Sequence, residues 1–119
     1  MTRVVLVEDD PTVCSVVEIL LSTEPDLDLV GTAVSAEQGL ELVRTLAPDL
    51  VLLDNQLEGA LTGVAAASML KQALPGVVVL LCTALDLAEV AAADPAIDGY
   101  LRKDSLADLV EVVRELLGR

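Results

Sequence analysis

The sequence predicts an α/β fold in which helices cover both faces of a parallel sheet. Short runs that are apolar at every position alternate with longer segments whose apolar residues recur every three or four positions. Strands that are apolar on both faces are typical of parallel sheets buried between two layers of helices. With right-handed crossovers, five strands and five helices form a three-layer, doubly wound (βα)5 sandwich around a central five-stranded parallel sheet.

Five apolar runs are the strand candidates. Three are continuous, at residues 4–7, 50–53 and 77–82, and two are weaker, at residues 27–34 and 97–101. Runs of this length suit strands better than helices. Each is followed by a segment with helical periodicity, so the chain is predicted to repeat a strand and a helix five times.

Apolar stripes mark the first and the last helix. In each, four residues follow the spacing i, i+3, i+4, i+7, which places them on one face of a helix. The stripe of the first helix is Val13, Val16, Val17 and Leu20, and that of the last is Leu106, Leu109, Val110 and Val113. We expect both stripes to face the sheet.

Cap and stop residues bound the second helix. Ser35 is a suitable N-cap for a helix over residues 36–46, and Pro48 closes the segment. Its apolar face is expected to carry Leu40, Val43 and Ala47.

Turn residues limit the third and fourth helices. The third, over residues 62–74, ends before Pro75-Gly76, which is a strong stop signal. The fourth, over residues 85–93, is rich in alanine and is limited by Pro95. We expect the fourth helix to be short or irregular.

Composition excludes several classes of function. The 119 residues predict one domain, and 7 basic against 20 acidic residues give a net charge of −13. Such a chain lacks the basic footprint that nucleic-acid backbones require, so we expect no direct nucleic-acid binding. It contains no histidine, which excludes a Ser-His-Asp triad and histidine-ligated zinc, and its two cysteines are too few for a cysteine-only zinc site.

The cysteines and the apolar runs predict a cytoplasmic protein. Cys14 and Cys82 show no disulfide pattern, which is typical of a reducing compartment. The sequence shows no signal peptide and no apolar span of about 18 residues. We therefore expect no membrane association.

Polar residues follow four of the predicted strands. Glu8-Asp9-Asp10 come after the first, Asp54 after the third, Thr83 after the fourth, and Lys103 after the fifth. In doubly wound sheets, ligands bind beyond the carboxyl ends of the strands. Taken singly, such residues often only begin a solvated loop, and acids before Pro11 also suit the start of a helix.

Taken together, these side chains predict phosphoryl chemistry. Converging carboxylates repel one another, and oxygen-ligated Mg²⁺ relieves that repulsion. An ammonium and a hydroxyl can hold phosphoryl oxygens, and a carboxylate can attack phosphorus. The sequence contains neither GxxxxGK[ST] nor GxGxxG, so the phosphoryl donor must bring its own leaving group.

Four segments carry a family resemblance: VVLVEDDP, PDLVLLD, LLCTA and GYLRKDS. Through them the chain resembles a response-regulator receiver domain of bacterial two-component signalling over residues 1–119. The KDS segment is similar to the NarL/LuxR-type subfamily. The resemblance implies a flavodoxin-like sheet with strand order 2-1-3-4-5.

The resemblance also implies roles for the acids. Asp54 would be the phosphoacceptor, and together with Asp9 it would ligate Mg²⁺ directly. Glu8 would reach the ion largely through a bound water, and the backbone carbonyl of Gln56 would complete the protein's ligands. Gln56 and Leu85 would tune the rate at which water removes the phosphoryl group.

The remaining site residues follow the same resemblance. Thr83 and Lys103 would hold the phosphoryl oxygens, and Ala84 would be small enough to admit them. Tyr100 falls at the aromatic switch position, which moves inward as Thr83 moves.

The chain departs from the family pattern in two intervals. After the phosphoacceptor, the proline is absent and the second glycine, Gly63, comes one residue late. The interval from Thr83 to Tyr100 is about two residues short. We expect an altered loop and an altered partner surface, with the site retained.

The function that the resemblance implies is that of a response regulator. A sensor histidine kinase would phosphorylate Asp54, and the face made by the fourth helix, fifth strand and fifth helix would switch. That face, or a neighbouring one, would support a homodimer, and the output would be transcriptional if a DNA-binding domain follows. The only reaction catalysed would be the chain's own phosphorylation and dephosphorylation.

Two alternatives stay open. The first is a receiver-like interaction or dimerisation module that needs no phosphorylation. The second is a phosphatase on a related fold, which would need a second acid to protonate a leaving group. Asp10 or Asn55 would have to fill that role.

Overall fold

Strands and helices alternate along the chain, in a computed structural model that describes residues 1–118. A 3₁₀ helix, η1, lies between the last strand and the last helix. The elements are β1 (Thr2–Val7), α1 (Pro11–Ser22), β2 (Leu27–Ala33), α2 (Ala36–Leu46), β3 (Leu50–Leu53), α3 (Gly63–Ala73), β4 (Val78–Thr83), α4 (Ala88–Ala93), β5 (Gly99–Arg102), η1 (Lys103–Asp108) and α5 (Leu109–Leu116).

The five strands form one parallel sheet with the order β2-β1-β3-β4-β5, which confirms the predicted fold and strand order. In the register, Val7 at the end of β1 pairs with Leu53 at the end of β3. The next residues, Glu8 and Asp54, therefore leave neighbouring strands at the same level. Thr83 pairs with Arg102 at the other side of the same edge, immediately before Lys103.

The core lies on both faces of the sheet. On β1 and β3, Val5, Val7, Val51 and Leu53 face the cluster that α2, α3 and α4 cover. The alternate residues Val4, Leu6, Leu50 and Leu52 face the cluster that α1 and α5 cover. All eight are at most 4% exposed, which explains why these runs are apolar at every position.

Helix α2 has the predicted bounds, but its predicted apolar face is wrong at one residue. The Ser35 hydroxyl accepts a hydrogen bond from the amide of Gln38 at 3.2 Å, as expected of an N-cap. Ala47, predicted on the buried face, is exposed and lies beyond the helix end in a left-handed conformation with φ 46°. A left-handed residue stops the helix, so Ala47 leaves the apolar face.

The predicted stripe of α1 is also partly wrong. Val17 is buried, whereas Val16 is 38% exposed, and Leu21 is the second fully buried side chain of this helix. Most side chains around α1 are apolar or small, so the spacing alone fits more than one face. The true face is centred on Val17 and Leu21.

The last two helices are shorter than their predicted stretches. Helix α4 begins at Ala88, and residues 85–87 form a loop, in agreement with the expected short helix. Leu106, predicted in the last helix, lies in η1, where Ser105 has non-helical dihedral angles. Helix α5 starts only at Leu109, directly after η1 ends at Asp108.

Candidate functional site

Three carboxylates meet at the carboxyl edge of the sheet. Oxygens of Glu8, Asp9 and Asp54 lie within 4.8 Å of one another. Glu8 and Asp54 are only 2% and 3% exposed, whereas Asp9 is not buried. The parallel register places Glu8 beside Asp54, so the backbone itself brings the acids together.

Lys103 lies between the two buried acids. Its Nζ is 2.7 Å from Oε1 of Glu8 and 3.0 Å from Oδ2 of Asp54. The second oxygen of Glu8 accepts a hydrogen bond from the amide of Asp10 at 3.1 Å. The second oxygen of Asp54 accepts one from the amide of Asn55 at 2.8 Å. Both carboxylates are therefore hydrogen-bonded at each of their oxygens.

Burial and hydrogen bonding oppose each other in this cluster. Burial raises the pKa of the Glu8 carboxyl, and the hydrogen bonds from Lys103 and Asp10 only partly offset it. Burial acts to lower the pKa of Lys103, but hydrogen bonds to Glu8 and Asp54 outweigh it, so the pKa lies above its ordinary value. The lysine is therefore a fixed positive charge at neutral pH.

The structure connects Thr83 to Tyr100 through the main chain of Leu85. The fully buried Thr83 accepts a hydrogen bond at Oγ1 from the amide of Leu85 at 3.3 Å. The Tyr100 hydroxyl donates to the carbonyl of Leu85 at 2.7 Å and accepts from the amide of Leu87 at 3.1 Å. Ala84 lies between these contacts and is exposed.

Gln56 and Leu85, the two predicted rate-tuning residues, are exposed at the same edge of the sheet. Gln56 comes two residues after Asp54, and Leu85, which is 38% exposed, comes two residues after Thr83. Both side chains are open to solvent. Their roles stay predictions.

Asp10 and Asn55 have structural partners. Asp10 is the N-cap of α1, and its Oδ1 accepts from the amide of Thr12 at 2.9 Å. The side-chain oxygen of Asn55 accepts from the amide of Val64 at 3.0 Å. Neither residue belongs to the cluster of three carboxylates. For Asp10, the helix-start interpretation of the sequence describes the structure.

The start of α3 lies within one residue of its prediction, but its contacts were not predicted from the sequence. Thr62 is the N-cap, with its hydroxyl accepting from the amide of Ala65 at 3.1 Å. The amide of Gly63 donates to the carbonyl of Asn55 at 3.1 Å. Threonine is a favoured N-cap residue, so the hydroxyl bond of Thr62 had a local signal in the sequence. The contact with Asn55 depends on the folded loop and has no local signal.

The donor set suits a hard divalent cation. Carboxylate oxygens are the ligands that Mg²⁺ prefers in proteins, and Glu8, Asp9 and Asp54 supply three groups at one point. Within residues 1–118, no other group of three acidic or cysteine side chains lies close enough together to share an ion.

The family model described as the response regulator receiver domain matches residues 4–114. The chain belongs to this family. It is 34% identical to the response regulator protein VraR of Staphylococcus saprophyticus over 116 residues, which cover 95% of this chain and 55% of that protein. It is 36% identical to the nitrate/nitrite response regulator protein NarL of Escherichia coli K12 over 103 residues, or 85% of this chain and 47% of NarL.

A solved structure shows the same fold at similar identity. The two-component response regulator of the LuxR family from Aurantimonas sp. SI85-9A1 superposes with a TM-score of 0.88 at 29% identity, covering 100% of this chain and 87% of that one. These relatives confirm the NarL/LuxR-type resemblance. The chain spans about half the length of the curated relatives it matches. It is thus a receiver domain of the type found in LuxR-family response regulators.

None of the helices among residues 1–118 combines the length and apolar character needed to cross a membrane. The longest, α1, has 12 residues. A bilayer core requires about 20.

Proposed function

We propose that Asp54 accepts a phosphoryl group from a phosphohistidine of a sensor histidine kinase. The observation that carries this proposal is the position of the Lys103 ammonium, 3.0 Å from the buried Asp54 carboxylate and beside two further acids. The relatives are response regulators, and receivers of this family take phosphoryl groups from histidine kinases. The chain itself has no histidine, so the donor imidazole must come from a partner.

The transfer exchanges one bond to phosphorus for another. An oxygen of the Asp54 carboxylate forms a bond to phosphorus while the phosphorus–nitrogen bond to the donor imidazole breaks. The bonding electron pair stays on that nitrogen. The nitrogen then takes up a proton from solvent, which returns the donor to neutral histidine. Asp54 becomes an acyl phosphate, which water later hydrolyses to the carboxylate and inorganic phosphate.

Two side chains are suited to hold the phosphoryl oxygens. The fixed charge of Lys103 lies at Asp54, where negative charge accumulates during transfer. The hydroxyl of Thr83 accepts from the amide of Leu85 at Oγ1 and can donate its hydrogen to a phosphoryl oxygen if the side chain turns toward it. Ala84, which follows Thr83, adds only a methyl group and leaves space for the incoming group.

Glu8, Asp9, Asp54 and the backbone carbonyl of Gln56 would hold Mg²⁺. When bound, the ion supplies positive charge that offsets both the clustered carboxylates and the phosphoryl group. Both oxygens of Glu8 already accept hydrogen bonds within the protein. This favours contact between Glu8 and the ion through a water molecule.

The link from Thr83 through Leu85 to Tyr100 would carry the signal outward. When Thr83 turns toward a phosphoryl oxygen, it loosens its bond to the Leu85 amide, whose carbonyl is bonded to Tyr100. Tyr100 lies in β5 between α4 and α5. The surface of α4, β5 and α5 would then change its contacts with a second copy of the chain or with an output domain, transcriptional if that domain binds DNA.

A small phosphodonor provides the test. The purified chain is incubated with acetyl phosphate and Mg²⁺, and its intact mass is measured. We expect the mass of one phosphoryl group to be added, and Asp54→Asn to abolish the addition. Asp10→Asn is the matched control, because it keeps the cap of α1 and lies outside the carboxylate cluster. No addition to the unaltered chain would favour a receiver-like module that needs no phosphorylation.

A further inference from the structure

One residue, Asn55, contacts both the proposed acceptor and the start of α3. Its amide donates to Oδ1 of Asp54 at 2.8 Å. Its backbone carbonyl accepts from the amide of Gly63 at 3.1 Å, and its side-chain oxygen accepts from the amide of Val64 at 3.0 Å. Asn55 thus satisfies two of the helix-end N–H groups that would otherwise lack partners.

These bonds close the loop over residues 55–63 onto the acceptor. Helix α3 approaches so closely that a Cβ built on Gly63 would stand 2.0 Å from the Asp54 carbonyl oxygen. The main chain at Asp54 and Asn55 is therefore pressed against the helix on one side. On the other side, Lys103 holds Oδ2 of Asp54.

We propose that Asn55 is a positioning residue for the Asp54 carboxylate, a role that rests on the proposed phosphoryl transfer. The hydrogen bond from the Val64 amide to the Asn55 side chain holds the main chain at Asn55 in one orientation. In that orientation the Asn55 N–H points at Oδ1 of Asp54. With Oδ1 held by Asn55 and Oδ2 by Lys103, the plane of the carboxylate is set from both sides. A nucleophile that is oriented in advance reacts faster, because less motion is lost at the moment of attack.

The test compares Asn55→Ala with Thr62→Ala. Each variant removes one side-chain hydrogen bond from the same end of α3. Asn55→Ala removes the acceptor of the Val64 amide, and Thr62→Ala removes that of the Ala65 amide. Only Asn55 also contacts Asp54. The initial rate of phosphorylation by acetyl phosphate is measured at saturating Mg²⁺. The urea stability of each variant is measured too, with the hydrogen-exchange protection of the residue 55 amide relative to an unfolded chain of the same sequence.

We expect Asn55→Ala to slow phosphorylation by about fivefold or more, and Thr62→Ala to change the rate by less than about twofold. The amide of residue 55 should lose exchange protection in the first variant and keep it in the second. Asn55→Gln displaces the side-chain oxygen that binds the Val64 amide by one methylene, and it should also slow the reaction. It replaces Asn55→Ala in the test if the alanine variant does not fold.

Equal rates in Asn55→Ala and Thr62→Ala, at similar stability, would overturn the positioning role and leave only a helix cap. Failure of the unaltered chain to take up a phosphoryl group is a different result, because it refutes the proposed function itself. The comparison of variants therefore separates the two proposals.

Discussion

Replacing Gly63 with alanine should sharply destabilise the fold. The added Cβ would meet the Asp54 carbonyl oxygen at 2.0 Å, the Asp54 carbonyl carbon at 2.8 Å and the Cα atom of Asn55 at 3.0 Å. All three are backbone atoms, so no side-chain rotation relieves the contact. Either α3 or the end of β3 must move.

The size of the effect follows from these distances. Opening the shortest contact to an acceptable separation requires a shift of about 1 Å, because real Cβ atoms are essentially never closer than 3.0 Å. Such a shift stretches the hydrogen bonds from Gly63 and Val64 to Asn55 beyond their useful range. Overpacking costs about 1–3 kcal/mol and each lost bond about 1 kcal/mol, giving about 3–5 kcal/mol in all.

Urea unfolding followed by far-ultraviolet circular dichroism measures this loss. With a slope of about 2 kcal/mol per molar urea, the midpoint should fall by about 1.5–2.5 M. Gly76→Ala is the control, because a Cβ there has no neighbour within 4 Å, and it should be neutral or stabilising by up to about 1 kcal/mol. If Gly63→Ala and Gly76→Ala unfold at the same urea concentration, α3 does not press on the acceptor as described.

Three further measurements test other contacts. Tyr100→Phe removes the hydroxyl that bonds the loop before α4, so amide hydrogen exchange in α4 should speed up while exchange in β1 and β3 stays unchanged. Arg114→Gln breaks ion pairs to two acids of the loop between α1 and β2, so the urea midpoint should fall, and by less at high salt. Burial raises the pKa of Cys82 to about 12, so at pH 8 iodoacetamide should label Cys14 well before Cys82 in the folded chain; equal rates would contradict that burial.

The fold could be predicted because its signals are local. Helix α2 has a serine cap at one end and Pro48 beyond the other, and both act within a few residues of the helix. The errors arose where spacing is ambiguous. Apolar spacing over a single turn is the same for a 3₁₀ helix and an α-helix to within one residue. The sequence therefore predicts Leu106 in the last helix, whereas it lies in η1. The exposure of Val16 depends on how α1 rotates against the sheet, which its own sequence does not determine.

The acids of the site could be predicted because the parallel register places strand ends together. Glu8 and Asp54 follow apolar runs of neighbouring strands, so topology alone makes them neighbours. The bonds of Asn55 could not be predicted in this way, since they form only after residues 55–63 have folded back onto β3. The contact of Tyr100 with the loop before α4 likewise joins residues 13 and 15 positions apart.

The two helices that begin at this edge of the sheet, α3 and α4, differ in length and in how much they bury. On the α3 side, hydrogen bonds to Asn55 and Thr62 hold the first three amides of the helix, and Gly63 leaves no gap behind the acceptor. On the α4 side, the six-residue helix has only a 3.5 Å bond from its first amide to Oδ1 of Asp86, and it buries only Ala91. We therefore expect a rearrangement at the carboxylates to displace α4, the shorter and less buried helix, more than α3.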